Sequence, residues 1–254
     1  MTNGTAQIWK RVVIGYVIAL HLFTVVLVAK TNFIAKFKGK FLNEPVVPVV
    51  PPSPHVKNML VYLEWMDENV PDRSVIFLGD SITKGLAVAA VAPYATNYGV
   101  GGETTAELLD AMPSYKSLNR VTTIFLAIGI NDLNQSRKEG LNERYRKIVA
   151  ALPHKTPLIW SSVMPTTIKH ISQIDIIEAN LTIKALCEDR GNCFFVDTWS
   201  FLTNKSGQMI QDYFLADGIH LSPNGYKVWI AALKEANQHV TIQGKLRDKA
   251  TLRP

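Results

Sequence analysis

Short apolar runs alternate along this chain with longer amphipathic stretches. The clearest run, Val75-Ile76-Phe77-Leu78, is closed by Gly79. Largely apolar runs recur at residues 121–128, 158–163 and 194–196, with a weaker one at 95–100. Runs of this length, apolar on both faces of the pleat, predict buried parallel strands. Stretches of helical period lie between them at 104–113, 138–152 and 171–189. A short helix carrying Leu60, Leu63 and Met66 precedes the first strand, and a last helix begins after Ser222. Strand and helix in alternation predict an α/β domain whose parallel sheet is covered on both faces. Residues 200–216 form the longest stretch without a clear period. From Thr241 onward, with Lys245, Arg247, Lys249 and Arg253, apolar content falls and a loose basic tail is expected.

The N-terminal pattern is different. Residues 12–29 are 18 positions with no formally charged side chain apart from a chargeable His21, and Ile8 and Trp9 extend the run. At about 1.5 Å per residue this reaches roughly 27 Å, close to the thickness of a bilayer's hydrocarbon core. A cleaved signal peptide is the main competitor, but its apolar region is usually about 7 to 15 residues and ends at a small-x-small site. Leu27 stands two residues before Ala29 and Phe33 two before Ala35, both too large, so residues 8–29 are read as an uncleaved single-pass anchor. Phe33, Phe37 and Phe41 then recur every four residues with Lys36 and Lys40 turned away. That spacing fits either an interfacial helix on anionic lipid or a charged flank with aromatic anchors. Five prolines within residues 44–54 block a helix and predict an extended spacer. The domain plan is an anchor with its basic, aromatic flank over 1–43, a linker over 44–54, one folded domain over 55–240 and a tail over 241–254.

Charge sharpens this division. The formal net charge of +6 resides in residues 1–40, which hold six lysines and arginines and no acid; the remaining 21 basic and 21 acidic residues cancel. The folded domain is neutral, so its composition gives no reason to expect nucleic-acid binding. By the positive-inside rule the four lysines after the span would place the domain in the cytoplasm, whereas a proline stalk suits a domain held outside; the outward placement is the expectation carried forward. Cys187 and Cys193 are the two cysteines. Their spacing permits a disulfide and equally permits two buried thiols, and no zinc-ligand pattern is present.

Three strings carry candidate chemistry: Gly79-Asp80-Ser81-Ile82-Thr83, Gly129-Ile130-Asn131-Asp132 and Asp217-Gly218-Ile219-His220. Each core string arises by chance in roughly a few per cent of chains this long, so all three together are of order one in ten thousand. Ser81 follows the first strand, at a strand-to-helix turn where backbone N–H groups face an anion. Asp217 and His220 share one tight loop, allowing the carboxylate to orient the imidazole. Ser222-Pro223 then caps the last helix and pins that loop. Asn131 offers an amide donor to a developing oxyanion. Asp80 and Asp132 are read as turn residues. Open parallel sheets bind ligands at the carboxyl ends of their strands, where these strings fall.

As a set, these residues resemble the SGNH (GDSL-type) hydrolases, with Ser in Gly-Asp-Ser, Asn in Gly-x-Asn-Asp and His in Asp-x-x-His. The family's glycine block resembles residues 97–104, where Gly102 precedes Glu103 and Thr104. Residue 130 is Ile where many members have Gly or Thr. The resemblance covers about residues 72–240. It implies a three-layer α/β/α sandwich of flavodoxin-like type with a five-stranded parallel sheet. It also implies an esterase with Ser81 as nucleophile, His220 as base and Asp217 as its orienter. Backbone N–H groups of Ser81 and Gly102 with the Asn131 amide would form the oxyanion hole, and no metal or cofactor is required. The expected substrate is a short acyl or acetyl ester of a lipid or carbohydrate. An envelope O-acyltransferase using the same site, and a catalytically silent membrane-tethered binding domain, are the alternatives. The small apolar stretch over residues 86–92 suggests a shallow site, to which Tyr213 or Phe214 would contribute.

Overall fold

The computed structural model describes residues 3–30 and 52–251, with side chains described over 7–26 and 52–242. The chain divides into two compact units, Met1–Val49 and Val50–Pro254. In the first, helix α1 (Asn3–Lys30) contains one stretch, Gln7–Val26, long and apolar enough to cross a membrane, with a mean hydropathy of 1.5. The segment with Phe33, Phe37 and Phe41, and the linker up to Pro51, lie outside the described residues.

The second unit begins with α2 (Pro54–Asp67), capped by Ser53, whose Oγ accepts the Val56 N–H, and started by Pro54 in the first turn. Five parallel strands follow: β1 (Val75–Gly79), β2 (Ala95–Gly99), β3 (Thr123–Ala127), β4 (Leu158–Ser161) and β5 (Cys193–Val196). Their order is β2-β1-β3-β4-β5. β1 pairs with β2 on one side, Val75 opposite Ala95, and with β3 on the other, Val75 opposite Thr123. The chain therefore steps outward from β1 to β2 and returns past β1 to β3, which creates a switch point above the carboxyl ends of β1 and β3.

The intervening helices are α3 (Ser81–Lys84), α4 (Thr105–Ala111), α5 (Ile130–Asn134), α6 (Leu141–Ala151), α7 (Gln173–Arg190), α8 (Trp199–Leu202) and α9 (Pro223–Thr251). They form the outer layers of a three-layer α/β/α sandwich. Adjacent residues of β4 show the two faces: the Trp160 ring meets Tyr145 of α6 edge-on, while the Ser161 Oγ accepts the Trp229 indole N–H of α9 at 3.2 Å. Trp160, Ile76, Leu78, Ile124 and Ile159 are completely buried, as the apolar runs require of a sheet covered on both sides. At the sheet's centre Phe77 and Phe125 stack at 4.1 Å between ring centroids across β1 and β3.

Three details depart from the sequence pattern. Helix α9 continues to Thr251, through the stretch expected to be a loose tail. Residues 200–216 are ordered by a short antiparallel bridge between Thr203 and Met209, a second between Phe214 and Leu221, and one turn of 3-10 helix at Gln211–Tyr213. Cys187 and Cys193, left open between two states, are joined by a disulfide with Cα atoms 4.9 Å apart, closing the turn from α7 into β5.

Candidate active site

Asp80 and Ser81 occupy the turn from β1 into α3. Asp80 is the N-cap, its Oδ1 accepting the Ile82 N–H at 2.9 Å, and Ser81 opens the helix. The cap fixes the turn, so the Ser81 hydroxyl stands at the sheet edge with the helix's first N–H groups beside it. Across from it, His220 Nε2 lies 2.8 Å from Ser81 Oγ, and His220 Nδ1 lies 2.7 Å from Asp217 Oδ2. The other carboxylate oxygen, Asp217 Oδ1, accepts the backbone N–H groups of Ile219 at 2.9 Å and His220 at 3.0 Å. Asp217 is therefore held at both oxygens, and the imidazole it holds points its far nitrogen at the serine.

The loop geometry rests on Gly218. Its φ is +70°, and a Cβ there would stand 2.0 Å from Thr167 Oγ1. Thr166 Oγ1 donates to the Gly218 carbonyl at 2.7 Å, and the Thr167 N–H donates to the same oxygen at 3.2 Å. On the other side, the Ser222 Oγ caps α9 by accepting the Gly225 N–H at 3.2 Å and itself donates to the Asp212 carbonyl.

Gly102 and Asn131 approach from the neighbouring strand ends. Gly102 has φ +81°, a conformation open to glycine, and nothing stands within 4 Å of where a Cβ would be. Asn131, in the first turn of α5, donates one amide hydrogen to the Glu103 carbonyl at 2.9 Å, leaving its second free. That bond ties Asn131 directly to the Gly102-Glu103 loop. The structure thus brings Ser81, Gly102, Asn131, Asp217 and His220 to one edge of the sheet.

Electrostatics divide the carboxylates. Desolvation pushes Asp217 upward, but its two amide hydrogen bonds and the His220 imidazole outweigh this and hold its carboxyl below its ordinary value. It remains ionised beside His220. Asp80 is fully enclosed, and burial drives its carboxyl up to about 7 in spite of the Ile82 amide and the nearby imidazole. Glu103 is raised well above the usual range by burial and by the proximity of Asp80 and Glu107, and neither of its oxygens has a hydrogen-bond partner among the described residues. Burial without a partner favours the neutral form of such an acid.

Two placements correct the sequence expectations. Asp132 is more than a turn residue: it is completely buried and cross-links three helices. Its Oδ2 accepts the Thr105 N–H at 2.9 Å, and its Oδ1 accepts the Thr105 hydroxyl at 2.6 Å and the Arg144 Nη2 at 3.0 Å. Arg144 also donates through Nε to Thr105 Oγ1 at 2.7 Å. Thr105 and Arg144 were invisible in sequence because 27 and 12 residues separate them from Asp132. Phe214, read as a pocket residue, is instead buried in the core. The groove beside the His220 loop is lined by Asn204, Gln208, Met209 and Gln211 of the same stretch.

Comparison with known proteins gives this arrangement a context. The model of the GDSL-like Lipase/Acylhydrolase family matches residues 77–228. N-acylneuraminate cytidylyltransferase of Streptococcus agalactiae serotype III (strain NEM316) is 28% identical over 155 residues, covering 59% of this chain and 35% of that protein. The chain spans about a third of the length of the curated relatives it matches. Among solved structures, a proposed platelet activating factor from Streptococcus pneumonia superposes with a TM-score of 0.64 at 22% identity, covering 72% of this chain and 92% of that one. A GDSL-like lipase from Bacteroides thetaiotaomicron VPI-5482 superposes at 0.58 with 18% identity, covering 72% and 98%. The structural neighbours share the fold, and the family model, which spans the strings at Ser81, Asn131 and His220, carries the assignment: this chain belongs to the GDSL-like lipase/acylhydrolase family.

Proposed function

We propose that this protein is a membrane-anchored serine esterase that cleaves short-chain carboxylic esters through an acyl-serine intermediate. The observation that carries the proposal is the continuous relay Asp217 Oδ2, His220 Nδ1, His220 Nε2, Ser81 Oγ, with contacts of 2.7 and 2.8 Å. With Nδ1–H donated to Asp217, the tautomer leaves Nε2 free to accept the serine proton. Ser81 Oγ attacks the ester carbonyl as His220 takes its proton, and the carbonyl electrons move onto oxygen. The resulting oxyanion meets the backbone N–H groups of Ser81 and Gly102 and the free amide hydrogen of Asn131. Collapse breaks the bond to the alkoxy oxygen, which leaves as the alcohol with the proton from His220. Water then attacks the acyl-serine, gives its proton to His220, and a second collapse restores Ser81 and releases the acid. Labelling with a fluorophosphonate probe is the test: the wild type labels and Ser81→Ala does not. A wild type that resists the probe, or a mutant that labels equally, would end this assignment.

The anchor would be α1, and the catalytic unit would face the oxidising side of the membrane. The Cys187–Cys193 disulfide supports that side, since such bonds persist outside the reducing cytosol. It weighs against the opposite indication of the lysines that follow the span.

A further inference from the structure

The helix that opens the folded unit carries a surface its own packing does not explain. Val56, Leu63 and Asp67 of α2 are buried, and Met59, Leu60 and Met66 pack against the core beside them, so one face of the helix is satisfied by the domain. The opposite face of a surface helix is ordinarily polar and charged. Here its centre is Asn58, Val61, Tyr62 and Trp65, neighbours at helical spacing, while Lys57, Glu64 and Glu68 all stand to one side. Trp65 is 62% exposed, Tyr62 58% and Val61 43%, and the two rings meet edge to face with centroids 5.6 Å apart. The indole N–H and the phenol make no hydrogen bond among the described residues.

An exposed apolar cluster of this kind marks a surface that meets something other than water. Tryptophan and tyrosine have the chemistry of a membrane–water interface, with an apolar ring for the upper acyl region and a polar tip for the headgroups. Because the centre of the face is uncharged, it requires no anionic lipid. Helix α7 also exposes Ile174, Ile177 and Leu181, but that stripe is aliphatic, interleaved with Glu178 and Glu188, and carries no ring suited to the headgroup layer.

Chain connectivity selects the occupant. Helix α1 ends at Lys30 and α2 begins at Pro54, so residues 31–53 are all that separate them. An extended chain covers about 3.3–3.6 Å per residue, which limits this stretch to roughly 80 Å. With α1 in a bilayer, the α2 face stays within that distance of lipid, at an effective concentration on the order of millimolar. A weak affinity for the interface is then enough to hold it there. The first turn of α2 also adjoins the glycine loop, since a Cβ on Gly101 would stand 3.4 Å from His55 Nε2. Trp65 lies about 15 Å along the helix from His55, so a docked α2 would keep the Gly102 lip close above the headgroups.

We infer that the outward face of α2, centred on Val61, Tyr62 and Trp65, docks on the zwitterionic headgroup interface of the bilayer that holds α1. The inference rests on the anchor reading of α1 and adds a second, peripheral contact to it. The test uses the full chain in phosphatidylcholine vesicles containing a shallow doxyl-labelled phosphatidylcholine, with iodide on both sides of the membrane as the aqueous quencher. Trp9 reports α1 and Trp65 reports the α2 face; comparison with Trp9→Phe and Trp65→Phe separates their emission. Doxyl lipid should quench both, and iodide should not reach Trp65. In the Trp9→Phe background, Trp65→Phe should remove most of the lipid-quenchable emission. Val61→Glu with Tyr62→Glu, both exposed positions, should lower the doxyl quenching of Trp65 at least threefold and open it to iodide.

Quenching of Trp9 with Trp65 left open to iodide, or quenching of Trp65 indifferent to the glutamate pair, would overturn the inference while the anchor stands. Trp65 shielded from iodide and lipid alike, in proportion to protein density, would assign the face to a second copy of the chain and overturn it equally. Failure of the anchor reads out separately, as Trp9 beyond the reach of doxyl lipid and release of the chain from vesicles by alkaline carbonate, and the inference falls with it. A thermal melt of the double variant matching the parent ensures that a lost signal reports the face.

Discussion

In the proposed mechanism one side chain, Asn131, joins two tasks. One amide hydrogen secures the Glu103 carbonyl and so the position of Gly102; the other is free for an oxyanion. Replacing it with Ala should lower kcat by about 10²–10³ while KM changes by no more than a few-fold, because the lost bond forms only as charge develops. Steady-state kinetics on p-nitrophenyl acetate measure both; a change confined to KM would remove Asn131 from the oxyanion hole. Asp80 makes an opposite kind of prediction, about stability. Burial raises its carboxyl to about 7, while in the unfolded chain it titrates near 4. Below the lower value both states are protonated. As pH rises between them the unfolded chain releases the proton and the folded one does not, so this group's contribution to stability is lost progressively from pH 4 to 7. Asp80→Asn keeps the cap acceptor for the Ile82 N–H and removes the titration. The variant's Tm should match the wild type near pH 4 and exceed it above pH 7, by a stabilisation on the order of 4 kcal/mol. A Tm difference that is flat with pH would show that Asp80 does not titrate in this range.

At the scale of elements, the site depends on α4, α5 and α6 keeping their relative positions, and Asp132 is what links them. Its bonds to Thr105 and Arg144 join the helix after the Gly102 loop to the helix bearing Asn131. Asp132→Ala would leave the Arg144 guanidinium, itself buried, without its carboxylate, a loss of about 3 kcal/mol. The urea midpoint should fall, and kcat should fall roughly ten- to a hundredfold because two of the three proposed oxyanion donors, Gly102 and Asn131, shift. Unchanged kcat in a destabilised variant would confine Asp132 to folding. This network also marks where reading the sequence stops. The strands were legible because burial on both faces writes itself as uninterrupted apolar runs, as at Val75 to Leu78. Ser81, Asn131 and His220 were legible as candidates because each stands in a short characteristic string; of their contacts only the Asp217–His220 pair, three residues apart, is local, as is the Asp80 cap on Ile82, whereas Ser81 meets His220 across 139 residues. Arg144 was not, since nothing near it in sequence shows that its charge is answered by a residue across a helix interface. The groove was hidden for the same reason, because its amides come from α7 and from residues 204–211 and converge only once α7 and β5 are packed.

For the whole molecule, the proposed anchor makes the compartment of the folded unit a testable property, and two features of the chain point in opposite directions. If α1 spans a membrane as proposed, the lysines that follow its apolar stretch favour the cytoplasm by the positive-inside rule, a bias worth several residues' charge in short flanks. The Cys187–Cys193 bond favours an oxidising compartment, where thiols that close are not reopened by the glutathione pool. The chemistry of the bond constrains the folded unit itself, whereas the charge bias acts on the flank during insertion and yields to other signals. The two cysteines close a turn between α7 and β5 and are placed by folding of the domain alone, so their redox state reports its surroundings directly. In intact cells expressing the full chain, they should resist maleimide labelling after denaturation unless a reductant is added first. An alkaline phosphatase fused after Pro254 should be active, and β-galactosidase at the same position inactive. Free thiols together with active β-galactosidase would place the domain in the cytoplasm. Because the thiol measurement and the fusion measurement fail for different physical reasons, their agreement would fix the side on which an acylated substrate must be met.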